Sequence, residues 1–179
     1  MAGDPSITLL PDAGPLITLA YADALDLLPK SGWSVALVDM VLHEVTRSKT
    51  PTSVRIAAWA RERSIPVLET ATCRRYMEAG TASPIRKANL GELAIQEAMS
   101  AFGLAMDRTG VFLFEDHKIA RATFLLPDNC RKVSTRAFLA FMEEQGQIDS
   151  AAEIERRAIL AGRQFSQIRF PPDQDPARR

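Results

Sequence analysis

"VFLFEDHKIAR", residues 111–121, runs an apolar stretch into two adjacent carboxylates, Glu115 and Asp116, and then into a helical pattern. The apolar residues do not alternate with polar ones. That marks a strand buried on both faces, as in a parallel sheet covered by helices. Its ending has two readings. Asp116 caps the helix that follows, or the edge of the sheet holds a metal through carboxylates at strand ends.

The same unit recurs along the chain. Residues 7–10, 34–38, 65–68 and 131–133 are further strand candidates. Between them lie helical patterns: one opened by Gly14-Pro15 and apolar on one side until Pro29, one over 40–47 behind Asp39, and one over 54–63. A short helix near 74–79 sits in an otherwise irregular stretch over 70–88. Asn89 opens a strong helix with Leu90, Leu93, Ala94, Ala98 and Phe102 at helical spacing, and others follow from Asp116 through Phe124, over 137–145 and over 151–162. Alternating strands and helices mean βαβ units with right-handed crossovers. The expected fold class is α/β, with a mostly parallel central sheet covered on both faces. Residues 1–146 read as the main domain, and 147–179 as a helical extension with a polar, Pro-containing tail.

Composition narrows the function. The chain has 179 residues, 46% hydrophobic and 25% charged, which suits a globular core. Cys73 and Cys130 are the only cysteines, so neither a disulfide framework nor zinc spacing is present, and a reducing cytoplasm is expected. The N-terminal MAGDPSITLL lacks the basic region of a signal peptide, and no apolar run approaches membrane-spanning length. Basic and acidic residues balance at 22 each. A neutral chain is not a generic electrostatic nucleic-acid binder, but a local basic rim around an acidic centre remains compatible with it.

Four acids fall on one edge of such a sheet. Asp12 ends the first strand, Glu44 lies about one turn into the helix after the second, Glu92 is in the first turn of the helix leading to the fourth strand, and Asp116 ends that strand. Each also has a plain structural reading. Asp12 is a turn residue before Gly14-Pro15, Asn89-Leu-Gly-Glu92 is a capping box, and Asp116 is a cap. Glu44 lies too deep to cap its helix, and pairing with Arg47 is its local alternative. Asp39 reads as a cap, and Glu115 as either a surface acid or a further ligand. Four converging carboxylates would repel one another without a cation. Oxygen donors without a His or Cys cluster suit Mg²⁺ or Mn²⁺ rather than zinc. Such ions activate water against a phosphodiester.

These segments resemble a known family. "LLPDAGPLITLAYADALDLL", "VALVDMVLHEVTR", "NLGELAIQEAM" and "VFLFEDHKIAR" are similar to the four acid-bearing segments of PIN-domain ribonucleases, most nearly the small bacterial proteins of the VapC toxin type and their predicted nucleic-acid-binding relatives. The resemblance covers residues 7–140. It implies a three-layer α/β/α sandwich, Mg²⁺- or Mn²⁺-dependent cleavage of single-stranded RNA, homodimers and, for toxin members, a cognate antitoxin. By position it assigns catalysis and metal binding to Asp12, Glu44, Glu92 and Asp116. The chain departs from the pattern at Phe114, where toxin members carry a Thr two residues before the fourth acid, and Ser134 or Thr135 is the available substitute hydroxyl. Pro11 is unusual in a strand and tolerable only at its end.

Basic residues near these acids are candidate phosphate contacts: Arg74, Arg75, Arg86 and Lys87 before Glu92, and Lys118 and Arg121 after Asp116, with Tyr76 as a base-stacking partner. Their plain alternative is solvated charge. His43 and His117 adjoin acids in sequence but face elsewhere on their helices, and Trp33 and Trp59 read as packing. The helix over 151–162, with Ile154, Ala158 and Ile159 on one side, is expected to dock on the core. The competing function is a catalytically silent PIN-like module that binds RNA or protein. A dehalogenase-type phosphatase would need Asp-x-Asp, where this chain has Asp12-Ala-Gly14, and no GxxxxGK[ST] loop supports a nucleotide switch.

Overall fold

A computed structural model of the chain describes residues 6–80, 90–105, 107–115 and 126–164. The helix expected from Asp116, the cap Asn89, the basic residues Arg86, Lys87, Lys118 and Arg121, and the Pro-containing tail lie outside the described residues.

The chain begins with β1 (Ser6–Pro11), whose C-terminal half is fully buried, followed directly by α1 (Ala13–Tyr21). The helix expected to run on to Pro29 stops at Tyr21. Asp23 there adopts a left-handed φ of 53°, and a short α2 (Leu27–Lys30) resumes after the turn. The expected strand over 34–38 is divided in two: β2 (Ser34–Val35) pairs with β1, while β3 (Leu37–Val38) pairs with β4 (Val67–Leu68). Ala36, between them, still donates its amide to the Leu9 carbonyl at 3.1 Å. One extended segment therefore serves two sheets, its first half facing β1 and its second half facing β4.

Helix α3 (Asp39–Thr46) follows β3, and α4 (Pro51–Glu62) starts three residues earlier than its apolar pattern suggests. Pro51 fits the first turn, and the Thr50 hydroxyl accepts from the Ser53 amide at 3.2 Å. Helix α5 (Ala71–Ala79) starts three residues before the short helix expected near 74–79. Two carboxylates from elsewhere explain its position. Asp39 accepts from the Thr70 amide at 2.7 Å and the Thr70 hydroxyl at 2.8 Å, besides the Met40 amide at 2.7 Å in its own helix. Glu97, in α6 (Leu90–Gly103), accepts from the amides of Ala71 at 2.6 Å and Thr72 at 3.1 Å. A carboxylate over the first turn of a helix meets its unsatisfied N–H groups and the positive end of its dipole.

The second half contains β5 (Arg108–Phe114), β6 (Cys130–Ser134), α7 (Thr135–Glu144) and α8 (Ala151–Leu160). All pairings are parallel, and the larger sheet has the order β2-β1-β5-β6. The fully buried Leu9, Leu10, Phe112, Leu113 and Phe114 form its centre, with Leu16, Leu19, Ile95, Met99, Phe138 and Leu139 packing onto it from helices. Burying each such side chain contributes about 1.5–3 kcal/mol. Helix α8 packs on α1 and α7 through Ile154 and Ala158, whereas Ile159, expected on the same side, is 49% exposed. Trp33 stacks on Phe141 at 5.2 Å, and buried Trp59 donates its indole N–H to Asp26 at 3.1 Å. Among the described residues no helix is long and apolar enough to cross a membrane.

Candidate functional site

The strand order locates the site. From β1 the chain proceeds to β2 on one side, then returns to β5 on the other side of β1. Between β1 and β5 the direction of winding therefore reverses, and beyond the carboxyl ends of such a strand pair a crevice opens where open α/β sheets bind ligands. Pro11 is in register with Leu113, and the Asp12 amide donates to the Leu113 carbonyl at 2.8 Å. Asp12 and Glu115 thus emerge side by side at the switch point. The predicted fourth acid, Asp116, is the next residue in the chain and lies outside the described residues.

Asp12 is 1% exposed and stands at the N-cap position of α1, yet its side chain makes no capping hydrogen bond there. Helix capping therefore does not account for its carboxylate. Glu115 is no surface acid: it is 5% exposed, and its Oε1 accepts from the Thr18 hydroxyl at 2.9 Å and the Thr135 hydroxyl at 3.3 Å. A Cβ added to Gly14 would stand 2.3 Å from Glu115 Cγ, so only glycine lets the first turn of α1 rest on that side chain. Thr18 follows Gly14 by four residues and so lies on the same helix face.

A direct contact joins Glu44 to the start of α6. Glu44 Oε1 accepts from the Gly91 amide at 3.1 Å, which places Glu92, half-buried in the first turn of α6, one residue from that contact. A Cβ on Gly91 would lie 2.7 Å from Glu44 Oε2, so a side chain there would require the Glu44 carboxylate to move. The interaction joins residues 47 apart, and no sequence spacing signals it. Among the described residues, no three His, Cys, Asp or Glu side chains gather closely enough to form a metal cluster. Asp12, Glu44, Glu92 and Glu115 carry oxygen donors only, the donor type that hard cations take.

Other expectations fare variously. Ser134 is the N-cap of α7, its hydroxyl accepting from the Ala137 amide at 3.0 Å, and Thr135 also reaches the Phe114 carbonyl at 3.2 Å. Both hydroxyls proposed as substitutes at the Phe114 position thus have structural work. Tyr76 packs edge-on against His43 with ring centroids 5.5 Å apart. Arg74 and Arg75 are exposed on α5. Cys73 and Cys130 are buried, and burial raises both thiols above their ordinary pKa, which favours the unreactive thiol form. Cavities of about 200 Å³ beside Asp26 and Trp59 and about 250 Å³ between Leu68 and Phe102 lie away from these acids.

No family model matches the chain, and no curated protein matches it in sequence. Among solved structures it is similar to the PIN domain of RRP44 from T. brucei, with a TM-score of 0.50, 12% identity, and coverage of 79% of this chain and 82% of that one. At that identity the likeness concerns the fold. The chain is an α/β protein with a mostly parallel central sheet flanked by helices, arranged as in a PIN domain.

Proposed function

We propose that this chain is a metal-dependent ribonuclease that hydrolyses phosphodiester bonds of single-stranded RNA, of the kind found as the toxin of a toxin–antitoxin pair. The observation that carries this reading is Asp12: a carboxylate 1% exposed, at the switch point of a parallel sheet, that does not cap the helix it begins. Glu115 follows the strand paired with β1, and in this reading Glu44 and Glu92 complete the same edge. The PIN-like fold of a solved neighbour supports the assignment.

In this reading Asp12, Glu92, Glu44 and Asp116 hold Mg²⁺ or Mn²⁺, with Glu115 behind them. When bound, the ion lowers the pKa of a coordinated water and neutralises charge on the phosphate. The chain's own residues hold that site in shape. The Asp12 amide is fixed to β5, Glu44 fixes the first turn of α6, and Gly14 lets α1 approach Glu115. Arg74, Arg75, Arg86, Lys87, Lys118 and Arg121 contact the RNA backbone, and the half-buried Tyr76 stacks on a base at its free face. The protein acts in the cytoplasm, pairs as a homodimer and is restrained by an antitoxin protein.

A catalytically silent module that binds RNA or protein is the second reading. It is favoured by Phe114, which stands where the resemblance expects a Thr, and by the hydroxyls of Ser134 and Thr135, which already bond to Ala137, Phe114 and Glu115. Incubation of labelled single-stranded RNA with the protein separates the two. Cleavage with Mn²⁺ that stops with EDTA and with Asp12→Asn supports the nuclease. RNA retained but uncut, equally with and without Mn²⁺, supports the silent module.

A further inference from the structure

The buried Glu115 is the centre of a hydrogen-bond chain that spans most of the sequence. Arg163 donates through Nε to Thr18 Oγ1 at 2.9 Å, across 145 residues. Thr18, 0% exposed, donates in turn to Glu115 Oε1 at 2.9 Å, and Thr135 approaches the same oxygen at 3.3 Å. The position of Arg163 is set by the end of α8. Gly162, with φ of 105°, donates to the Ile159 carbonyl, and the Arg163 amide reaches back to Ala158 at 2.9 Å. These are the two bonds of a Schellman ending, which reverses the chain toward α1. A guanidinium donating to a hydroxyl oxygen polarises that hydroxyl and makes it a stronger donor to the next acceptor. Glu115 in turn supports the first turn of α1 at Gly14, two residues beyond Asp12.

We infer that Glu115 is a positioning residue: held by Thr18 and Thr135 and backed by Arg163, it fixes the Asp12 turn in the orientation needed to bind the metal, so the C-terminal helix is part of the site's support. The inference rests on the metal-dependent reading above. It assigns a role to the segment after residue 146 that neither the fold nor the acid positions require.

The test is Mn²⁺ affinity by calorimetry, with kcat and KM on single-stranded RNA, for the full chain and for Thr18→Val, Thr18→Ser and Arg163→Gln. Thr18→Val keeps the shape and removes the donor; loss of a supporting partner of this kind costs about 10–100-fold in metal affinity. The expected result is weaker Mn²⁺ binding and lower kcat with little change in KM, recovery in Thr18→Ser, and a smaller loss in the same direction in Arg163→Gln. Wild-type Mn²⁺ affinity in Thr18→Val, with only a lower Tm, overturns the inference and leaves the nuclease reading intact. If Thr18→Val does not fold, Arg163→Gln decides alone: weakened Mn²⁺ binding sustains the inference, and unchanged binding overturns it. A wild-type chain that neither binds Mn²⁺ nor cuts RNA overturns both.

Discussion

Glu44 accepts a hydrogen bond from the backbone amide of Gly91 at 3.1 Å, joining the second turn of α3 to the first turn of α6. This single carboxylate therefore has a structural bond and, in the proposed nuclease, a share of the metal. The two roles separate by substitution. Glu44→Gln keeps an oxygen acceptor for Gly91 and should change stability little, while weakening Mn²⁺ binding and RNA cleavage. Glu44→Ala leaves the Gly91 amide without that partner and should cost about 1–3 kcal/mol in addition. Urea unfolding of the two variants without metal, beside Mn²⁺ titration, reads each effect. Equal stability of Gln and Ala variants would dissociate the Gly91 bond from folding.

Asp12→Asn removes one carboxylate from the proposed metal site. The difference should appear on adding Mn²⁺. At a hundred times Kd a ligand stabilises the folded state by about 2.7 kcal/mol, or roughly 5–10 °C in Tm for a chain of this size. The parent should show that rise and Asp12→Asn should not. A thermal melt with and without Mn²⁺ is sufficient, and equal rises would remove Asp12 from the metal site.

Gly14→Ala should destabilise the chain by about 1–3 kcal/mol through overpacking, because the new methyl would stand 2.3 Å from Glu115 Cγ. Shortening Glu115 opens that space. The double variant Gly14→Ala/Glu115→Ala should therefore be more stable than the sum of the single losses predicts. Additive losses in a double-mutant cycle would mean that the first turn of α1 does not rest on Glu115.

Glu97 yields a prediction about acid. Burial pushes its carboxyl up, but the amides of Ala71 and Thr72 and the Thr72 hydroxyl outweigh it, and the pKa falls below the ordinary 4.5. A carboxyl with a lowered folded pKa adds stability that is complete above its unfolded value and fades as pH falls through the folded one. Stability in Glu97→Gln should thus differ from the parent most at neutral pH. The gap should narrow below about pH 4.5. Because Glu97 fixes the start of α5, the variant should also loosen the helix that carries Arg74 and Arg75, measurable as faster amide exchange over residues 71–79. A gap that stays constant from pH 7 to pH 3 would refute the assignment.

Much of this architecture is local and therefore legible in the sequence. Continuous apolar runs such as 111–114 mark strands buried on both faces, 3.6-residue spacing marks α6 and α8, and the order of elements requires a parallel α/β sheet. The positions of Asp12, Glu44 and Glu92 near strand ends and first turns follow from the same patterns. Tertiary structure alone decided that residues 34–38 serve two sheets, that the winding reverses between β1 and β5, and that Glu115 is buried beneath α1 rather than on the surface. It also decided which acid meets which donor: Glu44 with Gly91, Glu97 with the start of α5, and Glu115 with Thr18 and Thr135. The physical reason is range. Periodicity and capping depend on neighbours within a turn or two, whereas strand order and buried hydrogen bonds depend on side chains 20 to 145 residues apart competing for one interior.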